Sequence, residues 1–338
     1  MNGLVSLRAA KLVALGACAS LLLISVPIPA KATTGVKIAI MYDLGGRGDH
    51  GINDLAAKGV DAIKKKYGLT ALSVREIVTN GTESDRESRL QFLASAQYQL
   101  IVAVGARYAQ AVNVVASANP TTQFALINDD SIGDVNISDM VFSNPDGAYL
   151  AGVLAGAATK KKKVGFLAPN NLLVNFINFK KGVLSVNSKV SVLGQSIESS
   201  PPDATRALAS QGVDILFSEW SSTSEVQDSV AALSTVKRPI YFIGVNPDQY
   251  FLLEKNTQKI LLGAVSKRVD TAVFDVMTAA LKGETVIDTL DAAKGIYGHN
   301  YTVKDGGISM ALTKLGSSFS VKVAAAIAGL RSGKIKPF

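Results

Sequence analysis

Gly46, Gly48 and Gly51 form a Gly-x-Gly-x-x-Gly run between a strand-like segment and a helix-like one, as a dinucleotide-binding fingerprint does. Glu76 closes the next strand-like run, where a ribose ligand would stand. Asp49 argues against that chemistry, because it sets a carboxylate at the helix N-terminus that a pyrophosphate would need. Glu76 also lies 25 residues beyond Gly51, further than the fingerprint asks. Read without a nucleotide, the loop is one whose glycines let backbone come close to a ligand. The histidines are His50 and His299, too few and too far apart in sequence for a metal cage. There is no Gly-x-Ser-x-Gly elbow, no His-Glu-x-x-His and no Walker loop. The expectation is a protein that is not an enzyme, with no catalytic residues, no cofactor and no metal.

What the chain does carry is polar residues placed just after apolar runs. Asp43 follows the first run, Asn53 opens the next helical segment, and Asn128-Asp129-Asp130 follow Ile127. Further on, Trp220 follows Phe217, Asn246 and Asp248 follow Val245, and Lys267 follows Val265. Amides, carboxylates, an ammonium and an indole can fix hydroxyls and stack on a flat ring, which are the parts of a small-molecule site. Each residue alone also fits a turn or cap role, and Asn53 fits N-capping as well as it fits a ligand contact.

These residues need elements to hold them. Apolar strand-like runs, turns rich in Gly, Asn or Asp, and helically spaced segments alternate from Val36 onward, a pattern that predicts parallel sheets with crossover helices. The expected strands are 36–42, 72–77, 100–104, 123–127 and 140–142, then 164–167, 190–194, 215–217, 240–245 and 260–265. Segments 55–67, 86–96 and 148–159 space their apolar residues three and four apart, as helices covering a sheet do. Two series imply two sheets, and 338 residues allow two lobes. No long linker separates the series, so short crossings near 143–146 and 263–264 are expected to form a hinge. Ligands of open α/β sheets sit outside the carboxyl ends of the strands, which here means the interlobe cleft.

The net charge of +8 is scattered rather than gathered on one face, which excludes nucleic acid as the expected partner. Lys160 to Lys163 read as a solvated turn. At the N-terminus, Arg8 and Lys11 precede an apolar run from Leu12 to Ile28, and Ala30-Lys31-Ala32 follow as a small-x-small cleavage site. Leu15-Gly16-Ala17-Cys18 reads as a lipobox, but few apolar residues precede the cysteine, so cleavage after Ala32 is expected; an uncleaved anchor is the third option. All three place the rest of the chain outside the cytoplasm.

The stretch Asp43-Leu44-Gly45-Gly46, with Asp49-His50-Gly51-Ile52-Asn53 and Gly59, resembles the opening of the basic membrane protein family, the purine nucleoside receptor type of ABC-transporter binding protein. Gly147 to Gly152 with Lys163 to Phe166, Ile243 to Gln249, and Val265 to Asp270 are similar to its later motifs. The resemblance implies an α/β, periplasmic-binding-protein type I fold of two doubly wound lobes with a hinge and an interlobe cleft. It also implies a nucleoside-like solute, an ABC permease as membrane partner, and a monomer. Carried over by position, Asp43 and Asn53 would hold the base and Lys267 the ribose; the strand-end residues Asn128, Trp220, Asn246 and Asp248 complete the expected site, and Gly46, His50, Ile52 and Phe176 are further candidate contacts. The chain departs from the family where Ile52 replaces a stacking Phe, where Asn128 and Asn246 replace Asp, and where residues 220–224 replace a Gly-rich loop. The rival readings are a surface ligand sensor without transport coupling and a Rossmann-like NAD enzyme. The expected division is a signal peptide at 1–32, one lobe from 33–143 plus 264–290, and a second from 144–263 plus 291–338.

Overall fold

The computed structural model describes residues 35–70, 73–169, 174–197, 200–219, 225–246 and 253–337. The segment expected to be a signal peptide, including Cys18 and Ala32, lies outside the described residues, as do Trp220 and Asp248.

The first series runs β1 (Ile38–Tyr42), α1 (Ile52–Tyr67), β2 (Val74–Val78), α2 (Glu83–Ser95), β3 (Leu100–Val104), α3 (Ala109–Ala118), β4 (Gln123–Ile127) and β5 (Ile137–Phe142). The second runs α4 (Asn144–Ala158), β6 (Lys163–Ala168), α5 (Asn175–Val186), β7 (Ser191–Ser196), α6 (Pro201–Ser210), β8 (Ile215–Ser218), α7 (Glu225–Leu233), β9 (Tyr241–Val245), α8 (Lys255–Gln258) and β10 (Leu261–Lys267). The chain then returns through α9 (Val269–Lys282), β11 (Asp288–Asp291) and β12 (Ile296–Tyr301), and ends with β13 (Ile308–Leu312) and α10 (Ser320–Arg331).

Two sheets result, ordered β11-β12-β5-β4-β3-β1-β2 and β13-β10-β9-β8-β6-β7. All ten expected strands are present. Their central members β1 and β3 are buried at every position, as strands covered by helices on both faces must be, which is why they read as unbroken apolar runs. Helix starts follow local chemistry. Thr82, Ser143 and Ser200 each accept a hydrogen bond from the backbone N–H three residues on, and Pro145 and Pro201 sit where a missing N–H costs nothing.

The expected cuts at 263/264 and 290/291 differ from the sheets. Residues through Lys267 pair with β9 or β13 and belong to the second sheet, while β11 and β12 rejoin the first by pairing along β5. The first sheet therefore takes its strands from 38–142 and 288–301 and the second from 163–267 and 308–312, and each lobe is named for its sheet. The return strands escape the apolar pattern because β11 reads Asp-Thr-Leu-Asp and β12 carries Gly298, His299 and Asn300. Three crossings join the lobes, at Ser143, at Arg268 and at 302–307. They are tied together: Ser143 N–H donates to the Tyr301 carbonyl at 2.8 Å, Arg268 N–H to that of Gly307 at 2.9 Å, and Val303 N–H to the buried Asp146 carboxylate at 2.8 Å.

Two close helix contacts hold the lobes to their shape. α9 lies on α1 at Gly59, where a side chain would meet the Asp270 carbonyl oxygen at 2.5 Å. α4 is buried all round from Asp146 to Gly156 and meets α5 through Gly152, Gly156 and Gly182. Behind that contact Phe166, Phe179 and Phe217 pack with ring centroids 5.5–5.7 Å apart.

Candidate functional site

A cavity of about 370 Å³ lies between the carboxyl ends of the two sheets. Asn128, Asp129 and Asp130 follow β4 into it from one lobe, beside Ile52 and Leu55 at the start of α1. From the other lobe come Phe217 on β8 and Glu219 just after it, Val245 on β9 and Asn246 just after it, and Val265 and Lys267 on β10. Ser143 and Val269, at the crossings, form its back. A second chamber of about 300 Å³ shares Asn128 and Lys267 and extends past Val141, Pro145 and Asn175.

Asn128 and Asn246 occupy matching places in the two lobes. Each is the first residue after its strand, each has a left-handed backbone (φ 66° and 58°), and each donates its N–H to the neighbouring strand, at 2.8 Å to Met140 and 2.9 Å to Val265. Asn is among the few side chains that tolerate this backbone, so the residue type follows from the turn. Lys267 donates from Nζ to Asn128 Oδ1 at 3.0 Å, a bond that spans the cleft from one lobe to the other. Burial pulls the Lys267 ammonium below its ordinary value, and the Glu219 carboxylate opposes that pull. Burial pushes Glu219 itself up to about 7, against one hydrogen bond from Asn175 Nδ2 at 2.9 Å and the charge of Lys267. Sequence reasoning passed over Glu219; its signal is a lone acidic residue directly after the buried Phe217-Ser218 pair.

The first loop serves the protein rather than the cavity. Asn53 is 1% exposed, and its amide brackets the loop: Oδ1 accepts the Asp43 N–H at 3.0 Å and Nδ2 donates to the Asp43 and Leu44 carbonyls at 3.3 and 3.1 Å. The Asp43 carboxylate turns to Arg86 at 2.9 Å and Arg107 at 3.4 Å. Neither residue lines the cavity, nor do Gly46, packed on Val78, and His50, which is exposed. Phe176 packs against Phe166 at 5.8 Å in the second-lobe core, away from the cavity wall. Ile52 does line it.

The dinucleotide reading meets the protein's own groups at both of its positions. Asp49 caps α1 by accepting the N–H groups of Gly51, Asn53 and Asp54 at 2.8, 3.2 and 3.1 Å, which fills the place of a pyrophosphate. Glu76 is bound by Arg47 at 2.7 Å, Lys64 at 2.6 Å and the Tyr42 hydroxyl at 2.7 Å. These partners overcome its burial and hold it down at about 2.

A family model described as the PnrA-like ABC transporter substrate-binding protein, Bmp, matches residues 36–325. The chain belongs to this Bmp family. It is 25% identical to the ABC transporter nucleoside-binding protein BmpA of Lactococcus lactis, with 90% of each chain covered. It is 29% identical to the CD4+ T-cell-stimulating antigen of Listeria monocytogenes over 80% of this chain and 81% of that one. Among solved structures it is similar to an ABC transporter solute-binding protein from Conexibacter woesei, with a TM-score of 0.66 at 17% identity, covering 89% of this chain and 98% of that one. This last likeness shows the fold: two doubly wound lobes of periplasmic-binding-protein type I. As a Bmp-family chain, the protein is an ABC transporter substrate-binding protein. Among the described residues no helix is long and apolar enough to cross a membrane.

Proposed function

We propose that this Bmp-family protein is exported, binds a purine nucleoside or a similar ring-bearing solute in the interlobe cavity, and hands it to an ABC permease by closing its lobes. The observation that carries this reading is the cavity: its volume is that of a small-molecule site, and both lobes contribute wall to it. Apolar faces from Ile52, Leu55, Val245, Val265 and Ile308 suit a flat ring. Asn128, Asn246, Glu219 and Lys267 suit hydroxyls and ring nitrogens. Closure turns on the crossings at Ser143, Arg268 and 302–307, and the Lys267–Asn128 bond is a contact that a bound ligand would join. The relative named as nucleoside-binding supports the ligand class.

Calorimetry of the mature protein against nucleosides, simple sugars and amino acids tests the reading. One-to-one binding of adenosine, guanosine or inosine is expected. Binding of a sugar or amino acid with no heat from any nucleoside would overturn the ligand class and leave the fold untouched. Export is tested separately by intact mass of protein from native membranes, where cleavage after Ala32 is expected and a diacylglyceryl mass on Cys18 would show lipidation instead.

A further inference from the structure

Glu219 and Lys267 carry opposite charges into one cavity, yet no ion pair within 4.0 Å joins them among the described residues. Each is held by a neutral amide instead. Asn175 donates to Glu219 Oε2, and Asn128 accepts from Lys267 Nζ. The other Glu219 oxygen makes no hydrogen bond among the described residues. The two charges stand at the ends of β8 and β10, with β9 and its Asn246 between them, so their backbones are two strand spacings apart, about 10 Å. Both side chains are half-buried, and each feels the other's charge only from a distance, so a ligand that meets both of them replaces lost water with direct bonds. A hydroxyl has the chemistry required, because it donates to a carboxylate and accepts from an ammonium. A vicinal pair of hydroxyls meets the spacing better than one, with Asn246 between to receive or donate.

We propose that Glu219 is a specificity-determining residue of this site, accepting a hydrogen bond from a ligand diol that bridges it to Lys267, so that the cavity selects the sugar of a ribonucleoside over deoxy analogues. The proposal rests on the nucleoside reading above and adds to it the residue that reads the sugar. A bond to a charged acceptor is worth more than one to a neutral amide, so the selection falls on Glu219 rather than on Asn246. The charged groups facing Glu219 across the cavity are Lys267 on β10 and Asp129 and Asp130 after β4; α5 presents the neutral Asn175. Glu219 passes from proton donor to acceptor near pH 7, since burial holds its carboxyl up to about 7.

The test is a cycle of wild type and Glu219→Gln against guanosine, 2′-deoxyguanosine and 3′-deoxyguanosine, with wild-type affinity for guanosine followed from pH 8 to pH 6. Glu219→Gln is expected to weaken guanosine about 10- to 100-fold, the worth of one bond to a charged group. At least one deoxy analogue is expected to lose affinity in wild type and to lose little more in the variant. Wild-type affinity should fall toward tenfold per pH unit below about 7, and Glu219→Gln should not follow it. Equal losses for all three nucleosides, unchanged guanosine affinity in the variant, or a flat wild-type pH profile would each overturn the role of Glu219 while nucleoside binding stands. No heat from any nucleoside in wild type overturns the nucleoside reading, and this proposal with it. The pH arm uses the unaltered chain and holds even where the variant fails to fold.

Discussion

Replacing Gly182 by Ala sets two effects of known size against each other. In an exposed helix the change would stabilise, because Ala exceeds Gly by about 1 kcal/mol in helix propensity. Here a Cβ would meet the Tyr149 carbonyl oxygen of α4 far inside 3.0 Å, with the Tyr149 carbonyl carbon and the Val153 nitrogen also at 3.0 Å. All three are backbone atoms of a helix buried on every side, so no side chain can swing away. α5 must instead move off α4 by about 1 Å, in an interior packed as densely as a crystal. Overpacking of this kind costs roughly 1–3 kcal/mol, and a clash with main chain belongs at the upper end. The clash therefore wins, with a net loss of about 2 kcal/mol. At roughly 2–4 °C per kcal/mol for a chain of this size, Tm should fall by about 4–8 °C. The displacement also reaches the site, because α5 begins at Asn175, which donates to Glu219. Calorimetric melting of Gly182→Ala beside the surface control Lys180→Ala measures the first effect, and ligand titration on the folded variant the second. A Tm equal to or above wild type would refute the packing argument outright.

Three further perturbations read other parts of the structure. Asp139 is fully buried with neither carboxylate oxygen hydrogen-bonded among the described residues, and burial, then Asp129 and Asp130, push it up to about 8. It thus keeps a proton in the fold that the unfolded chain releases near its ordinary 3.8, so stability from this group is lost as pH rises from about 4 through about 8; Asp139→Asn should flatten the fall of Tm with pH over that window, and a variant tracking wild type at every pH would deny it. Lys267→Met removes the bond across the cleft and should weaken the ligand about 10- to 100-fold without lowering Tm, since it also removes a half-buried charge; unchanged affinity would take Lys267 out of the site. Trp220 is the only tryptophan and follows Glu219 in the chain, so ligand should change its fluorescence, and Trp220→Ala should cost roughly 1–3 kcal/mol of affinity if it stacks on the base; an equal dissociation constant in a folded variant would exclude stacking.

The fold was legible wherever burial dictated composition. Strands sealed on both faces must be apolar throughout, so β1, β3, β4 and β8 announced themselves, and the helices between them followed from threefold and fourfold spacing. The return strand β11 forms a sheet edge and β12 lies between it and β5; both leave positions open to solvent and β12 carries a glycine at 298, so nothing obliged their residues to be apolar. Missing them moved the lobe boundary, because a strand's sheet is decided by its partner and partners far apart in sequence leave no local trace.

The site divided along a different line. Strand ends face the cleft by topology, and that rule placed Asn128, Asn246, Ile52 and Lys267 on the cavity wall. It failed for Asp43 and Asn53, which also follow a strand and open a helix, because the first loop must satisfy its own backbone before anything else. Four consecutive positions, Asp43 to Gly46, leave β1 through left-handed turns at Gly45 and Gly46, and the groups they expose are met by Asn53, while Arg86 and Arg107 neutralise Asp43. In the second lobe Glu219 has, among the described residues, one amide hydrogen-bonded to it and the more distant charge of Lys267. A carboxylate surrounded by its own protein's donors, as Asp43 is, is structural, whereas Glu219, with one oxygen that no described residue meets, is where we propose that a ligand hydroxyl binds. That distinction depends on which side chains converge from distant parts of the chain, which is why residue type and position after a strand could nominate both Asp43 and Lys267 but could not tell them apart.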